Sequence, residues 1–156
     1  MMTRLSCDVL KALGGRTLAT AESCTGGGIG AALTAIPGSS KIYKGGIVCY
    51  TNWVKEQVLG VPGETLEKYG AVSSQVAQAM AQCVKERLQA DVAVSVTGLA
   101  GPEGDDRGNP VGTVFIGYCD ADKAYAAVYH FDGSRQQVRE KAIYAALELI
   151  LKNNPV

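Results

Sequence analysis

Apolar positions along this chain recur in two periods that take turns. Leu5, Val9, Ala12 and Leu13 share one helical face, and Gly14-Gly15 ends that helix. Thr17 to Ala21 reads as a short strand of small residues. Ile29, Leu33 and Ile36 mark a second amphipathic helix that stops before Pro37-Gly38, and Gly46 to Tyr50 offers a second strand. The longest clean stripe, Val76, Met80, Cys83, Val84 and Leu88, predicts a helix of about 16 residues capped by Ser73 or Ser74. Val92, Val94 and Val96 then alternate along a strand that enters a glycine-rich loop from Thr97 to Pro110. Val111 to Tyr118 and Tyr125 to Phe131 form a hairpin about the turn Asp120 to Lys123, which makes the sheet mixed. Ser134 and Gln137 make a capping box for a last helix with Val138, Ala142, Ala145 and Leu149 on its inner face.

The predicted fold class is therefore α/β with a mixed sheet, and 156 residues suit one domain over 1–156. Fifteen Lys and Arg balance fifteen Asp and Glu, which gives no electrostatic footprint for nucleic acid or an anionic membrane. Five cysteines without a C-x-x-C pair point to reduced thiols in a cytoplasmic protein. Asp8 and Lys11 interrupt any signal-peptide core, and no apolar run approaches the roughly 18 residues of a membrane span.

Candidate chemistry gathers where the first strand meets the second helix, at Ala21-Glu-Ser-Cys-Thr-Gly-Gly-Gly-Ile-Gly30. Ser23 at that mouth has the setting of a nucleophile, with N–H groups of Thr25, Gly26 and Gly27 to hold an oxyanion. The plainer alternative is an N-cap beside glycines chosen for close packing. Gly26-x-Gly28-x-x-Ala31 imitates a dinucleotide fingerprint, but Asn52, Trp53 and Val54 and the ten residues before them supply no Asp or Glu to meet a ribose. A P-loop is excluded because Ile29-Gly30-Ala31 replaces its Gly-Lys-Ser/Thr.

A serine nucleophile needs a base. His130 is the only histidine, sits near the far end of a hairpin strand, and more plainly serves structure; G-x-S-x-G is also missing. Lysine substitutes when burial lowers its pKa from about 10.4 toward 7 or 8. Lys55, in Tyr50-Thr-Asn-Trp-Val-Lys55 after the second strand, comes beside Ser23 if the first two strands are neighbours. Arg135 and Arg139, four apart at the start of the last helix, oppose its dipole and each other, and so call for an anionic ligand or a carboxylate such as Glu140. The Thr97 to Pro110 loop, with Gly98, Ala100 and Gly101, has the length of a loop that lines a site. Asp105 and Asp106 lack a third clustered ligand, so neither metal nor cofactor is expected.

Ala21-Glu-Ser-Cys-Thr-Gly-Gly27, Pro37-Gly-Ser-Ser40, Tyr43-x-Gly-Gly46, Tyr50-x-Asn-x-x-Lys55, Thr97-Gly-x-Ala-Gly-Pro102 and Pro110-Val-Gly-Thr113 together resemble the C-terminal domain of competence/damage-inducible protein A. The likeness covers nearly the whole chain. It implies a three-layer α/β/α sandwich, usually oligomeric, and its stand-alone members are nicotinamide-nucleotide amidases, which convert nicotinamide mononucleotide to nicotinic acid mononucleotide and ammonia. The family's serine, tyrosine and lysine match Ser23, Tyr50 and Lys55, and its arginine-bearing helix start matches Gly133-Ser-Arg135 and Arg139. Larger members carry a further N-terminal domain. The partner expected from the resemblance is a pyridine mononucleotide, with a homo-oligomer as the assembly. The competing expectation is a non-catalytic nucleotide-binding module on the same fold.

Overall fold

The computed structural model describes residues 1–155. Its elements run α1 (Met2–Leu13), β1 (Leu18–Glu22), α2 (Gly28–Thr34), β2 (Tyr43–Val48), α3 (Asn52–Val54), α4 (Gly63–Tyr69), α5 (Ser74–Arg87), β3 (Val92–Gly98), β4 (Thr113–Cys119), β5 (Ala124–His130) and α6 (Arg135–Asn153). A 3-10 turn spans Ser39–Lys41, and a π-helical turn, Lys55–Leu59, continues α3. The sheet order is β2-β1-β3-β4-β5, with β2, β1 and β3 parallel and β4 antiparallel to both its neighbours.

Alternation along the strands divides the interior into two cores. Leu18, Val92, Val94, Val96, Val114 and Ile116 face α1, α2 and α6, where Val9, Leu33, Val138 and Ala142 complete the packing. Ala19, Ala21 and Ala93 face the other way, onto Val76, Met80 and Val84 of α5 and onto Leu59 and Leu66. The result is the three-layer α/β/α sandwich. Small residues on the second face bring α5 close: Ser95 Oγ donates to the Ala77 carbonyl at 2.5 Å, and a Cβ on Gly117 would collide with that same carbonyl.

Most expected elements are present, and the differences have local causes. Gly14 ends α1 in a left-handed conformation, Ser73 caps α5, and Ser134 with Gln137 forms the reciprocal capping box of α6. The second strand lies earlier than Gly46 to Tyr50. It starts at Tyr43, whose hydroxyl is 2.7 Å from Thr20 Oγ1, and a Cβ at Gly46 would strike those same two groups, so glycines that look loop-like are a close strand crossing. The chain after Val48 is free to turn back over the end of β1. Helix α4 carries too short an apolar pattern to be expected. The third strand is central and buried on both faces, so its even-odd pattern separates two cores rather than core from solvent.

Candidate active site

The parallel strands β1, β2 and β3 end on one edge of the sheet. From β1 the chain passes to β2 on one side and later to β3 on the other, so a crevice opens at this reversal of strand order. Ser23 is the first residue beyond β1, and its N–H donates to Val96 O at 2.9 Å. Beyond β2, Cys49 N–H donates to Glu22 O at 2.9 Å, so the peptides flanking the serine are tied to both neighbouring strands.

Thr51 caps α3, accepting from Val54 N–H at 3.4 Å, and the π-helical turn follows, with Gly60 and Val61 N–H both donating to Lys55 O. This turn aims Lys55 inward. Its side chain is only 1% exposed; Nζ donates to Ser23 Oγ at 2.9 Å and to Cys49 O at 2.7 Å. Both partners are uncharged, and burial holds the Lys55 pKa below its ordinary value. Burial also pushes the thiols of Cys24 and Cys49 up to about 11, so neither is a thiolate near neutral pH. The arrangement has the parts of an activated nucleophile: a hydroxyl, an amine, and a third group that orients the amine, here the Cys49 carbonyl.

The turn after Ser23 is held by two residues. Glu22, 2% exposed, accepts from Thr25 Oγ1 at 2.7 Å and Ile29 N–H at 2.8 Å through Oε1, and from Gly30 N–H at 3.0 Å and Thr20 Oγ1 at 3.3 Å through Oε2. The start of α2 is thus satisfied internally, which leaves no room there for the pyrophosphate of a dinucleotide. Arg139 donates from Nε to Cys24 O at 3.0 Å and from a terminal nitrogen to Thr25 O at 3.3 Å.

A cavity of about 560 Å³ lies over the pair, with Tyr50, Asn52, Thr97 and Arg135 and the stretch Gly98 to Gly104 among its walls. Arg135 donates to Gly101 O at 2.6 Å and to Tyr50 Oη at 2.9 Å. The loop behind it is fastened to α4, because Arg107 donates to the carbonyls of Glu67 and Lys68, Asp105 accepts from Arg107 N–H and Asn109, and Asn109 Nδ2 donates to Val72 O.

Of the residues singled out in the sequence, Ser23, Lys55, Tyr50, Gly98, Ala100, Gly101 and Arg135 come together around this cavity. Thr25, Gly26, Gly27 and Arg139 are placed differently. Thr25 is buried against Glu22, Gly26 N–H donates to Ser23 O at 3.0 Å, Gly27 packs near Val48, and Arg139 is engaged by the turn's own carbonyls. Tyr50 meets Arg135 rather than the amine. The two arginines at the start of α6 are compensated by carbonyl oxygens and a phenol, not by Glu140, which pairs with Gln136. His130 is exposed at the end of edge strand β5, with β3 and β4 between it and β1. Glu22 and Asn109 also shape the site, and the sequence patterns above do not single them out. An acid seven residues before the second helical position of α2, with no side-chain cap there, was the available signal for Glu22.

The fold and site define a three-layer α/β protein with a buried serine–lysine pair at the ends of its parallel strands. A model of the CinA C-terminal domain matches residues 3–153, and the chain belongs to that family. It is 46% identical over 136 residues to a CinA-like protein of Parasynechococcus marenigrum, covering 86% of this chain and 32% of the relative. A CinA-like protein of Thermotoga neapolitana is 42% identical over 138 residues, covering 88% and 34%. The chain thus spans about a third of the length of the curated relatives it matches. A solved CinA superfamily protein of Escherichia coli superposes with TM-score 0.95 at 38% identity, over 98% of this chain and 90% of the other. The competence/damage inducible protein CihA of Agrobacterium tumefaciens gives TM-score 0.92 at 38% identity, over 98% and 95%. No helix among the described residues is long and apolar enough to cross a membrane.

Proposed function

We propose that the protein is an amidohydrolase that converts nicotinamide mononucleotide to nicotinic acid mononucleotide and ammonia, with Ser23 as nucleophile and Lys55 as base. The observation that carries this reading is the 2.9 Å contact between Ser23 Oγ and a lysine amine that is 1% exposed and has no charged hydrogen-bond partner. The resemblance of the surrounding motifs to nicotinamide-nucleotide amidases supplies the substrate.

In the neutral amine one N–H donates to Cys49 O, and the lone pair is left for the Ser23 hydroxyl proton across the same contact. Ser23 Oγ bonds to the amide carbon as Lys55 takes that proton. The ammonium then returns it to the leaving nitrogen, ammonia departs, and a water deprotonated by Lys55 hydrolyses the nicotinoyl ester. Gly26 N–H is already engaged, so the oxyanion donors in this reading are the N–H of Cys24, directly after the nucleophile, and those of Ala100 and Gly101 across the cavity. Arg135 uses two of its five donors on Gly101 and Tyr50, and the remainder serve the substrate phosphate. Tyr50 orients that guanidinium. A cavity of about 560 Å³ falls within the roughly 300–1,000 Å³ of small-molecule sites.

Ammonia release from the mononucleotide, measured for wild type and Ser23→Ala, tests the reading. Loss of turnover with retained binding in the variant is expected. Equal turnover by the two proteins would remove Ser23 as nucleophile, and wild-type binding without turnover between pH 6 and pH 9 would favour the non-catalytic module.

A further inference from the structure

The cavity over Ser23 and Lys55 is lined by charges of both signs. Lys55 and Arg135 are its basic side chains, and Glu103 is the one acid among its described walls. Glu22, close by at the end of β1, is committed to α2 and is not one of those walls.

Charges near Glu103 are taken up by the fold, and its own is not. Asp105 accepts from Arg107 N–H at 3.1 Å and from Asn109 N–H at 2.9 Å, and the Arg107 guanidinium donates to Lys68 O at 2.9 Å. Arg135 reaches the same loop at Gly101 O, yet its other contact is Tyr50 Oη rather than the Glu103 carboxylate. Among the described residues no group donates a hydrogen bond to Glu103, which is exposed. Its place is nonetheless set by close approaches on both sides. Gly101 has φ +99°, and a Cβ there would lie 2.9 Å from Val111 Cγ1; a Cβ on Gly104 would lie 2.8 Å from Asn109 O. Glu103 is therefore part of a fitted wall, on a loop that Asn109 ties to Val72 O, and not the tip of a free one.

A carboxylate without a partner, facing a space that already holds two basic groups, is complementary to a ligand carrying a positive charge beside a negative one. On the proposed reading of the site the substrate has both. The ring nitrogen that bears the ribose is quaternary, so the oxidised pyridine ring is a cation, whereas its dihydro form is neutral. Phosphate, ribose and carboxamide are the same in the two forms, so a phosphate contact with Arg135 does not tell them apart. Lys55, when protonated, and Arg135 repel a ring cation, and Glu103 is the wall group that offsets them.

We propose that Glu103 is a specificity-determining residue: its carboxylate faces the ring cation, so the cavity selects the oxidised pyridinium mononucleotide over the neutral dihydropyridine mononucleotide. The proposal rests on the substrate class given above, but on binding rather than on turnover.

Calorimetric titration of nicotinamide mononucleotide and of its dihydro form into the Ser23→Ala chain, with and without Glu103→Gln, tests it. The Ser23→Ala chain should bind the oxidised form more tightly, and added salt should narrow the gap. Glu103→Gln should shrink that preference by about threefold or more, the scale of a solvent-accessible charge pair, through weaker binding of the oxidised form alone. Glu103→Asp, which keeps the charge, should retain part of it. A preference unchanged by Glu103→Gln overturns the proposal, and so does an equal loss for both forms, which would mark a merely structural role in the loop. Binding of neither form overturns it together with the substrate class. A wild-type protein that releases no ammonia, while Glu103→Gln shrinks the binding preference, would refute the amidase and leave the charge-reading role standing; ammonia release with an unchanged preference would do the reverse.

Discussion

Glu22→Gln is the smallest change that separates the turn after Ser23 from the strand before it. The substitution preserves volume and leaves one oxygen and one NH2 where two carboxylate oxygens stood. If the NH2 occupied the Oε1 position it would face both Ile29 N–H and Thr25 Oγ1, so the less costly choice is the Oε2 position. There it confronts Gly30 N–H, a donor 3.0 Å away, while Thr20 Oγ1 can rotate to accept. The orphaned buried donor costs about 1–3 kcal/mol, and weakening the two remaining bonds from charged to neutral acceptor brings the total to about 2–4 kcal/mol. For a chain of this size each kcal/mol lowers Tm by roughly 2–4 °C. Urea titration and calorimetry should therefore show Glu22→Gln at least about 4 °C less stable, and Glu22→Ala lower still because it orphans both helix amides. Turnover should fall as well, because Ser23 is the residue between Glu22 and the loosened turn. A Glu22→Gln protein within about 0.5 kcal/mol of wild type, below the scale of one buried hydrogen bond, would refute the reasoning.

Lys55→Arg should abolish turnover, since arginine stays protonated, and wild-type kcat should rise with pH through the lowered Lys55 value; a flat pH profile would remove lysine as the base. Lys55→Met should be inactive yet melt higher than wild type at neutral pH. The folded pKa lies below the unfolded one, so wild-type stability gains as pH climbs through the folded value, and the methionine variant should lack that gain. Arg135→Ala should raise KM for the mononucleotide and shrink its advantage over the riboside, which a phosphate contact of roughly 1.5–3 kcal/mol sets at tenfold or more. Arg139→Ala should lower kcat and leave that ratio intact, because its guanidinium holds the carbonyls of Cys24 and Thr25; steady-state kinetics on both substrates distinguish the two arginines.

What the sequence discloses of this architecture is what repeats or punctuates. The apolar stripe of α5, the glycine stop of α1 and the capping box of α6 are local signals, and the structure contains each of them. Ser23 and Lys55 were legible as partners because a strand end and a segment just past the next strand must meet if the strands pair, as β1 and β2 do. Side-chain direction was not legible. Nothing in Arg135-Gln-Gln-Val-Arg139 says that one arginine reaches the cavity while the other turns to the carbonyls of residues 24 and 25, more than a hundred positions away. The oxyanion assignment to Gly26 met the same limit, since which N–H of a turn remains free depends on the turn's own hydrogen bonds. The sequence pattern sets β2 later than the observed Tyr43–Val48 because glycine signals both loops and close approach, and only the Tyr43–Thr20 contact decides between them.

The lysine's surroundings are selective in what they omit. A carboxylate beside Nζ would satisfy the buried charge and hold the proton on nitrogen, and in the proposed reaction that would cost the site its base. A carbonyl and a hydroxyl suit a neutral amine instead, because an NH2 group can donate to the first while its lone pair accepts from the second. The two cysteines nearby keep to the same logic: with pKa values pushed up to about 11, they present neutral thiols where anions would favour the ammonium. Glu22, the one carboxylate at this strand end, has both oxygens committed to α2 and its approaching turn. Its charge is therefore directed to the fold of the turn rather than to the amine. A single acid thus fixes the position of Ser23 while the Lys55 amine stays uncompensated, so opposite outcomes are expected at the two positions: neutralising Glu22 should loosen the protein, and neutralising Lys55 should tighten it.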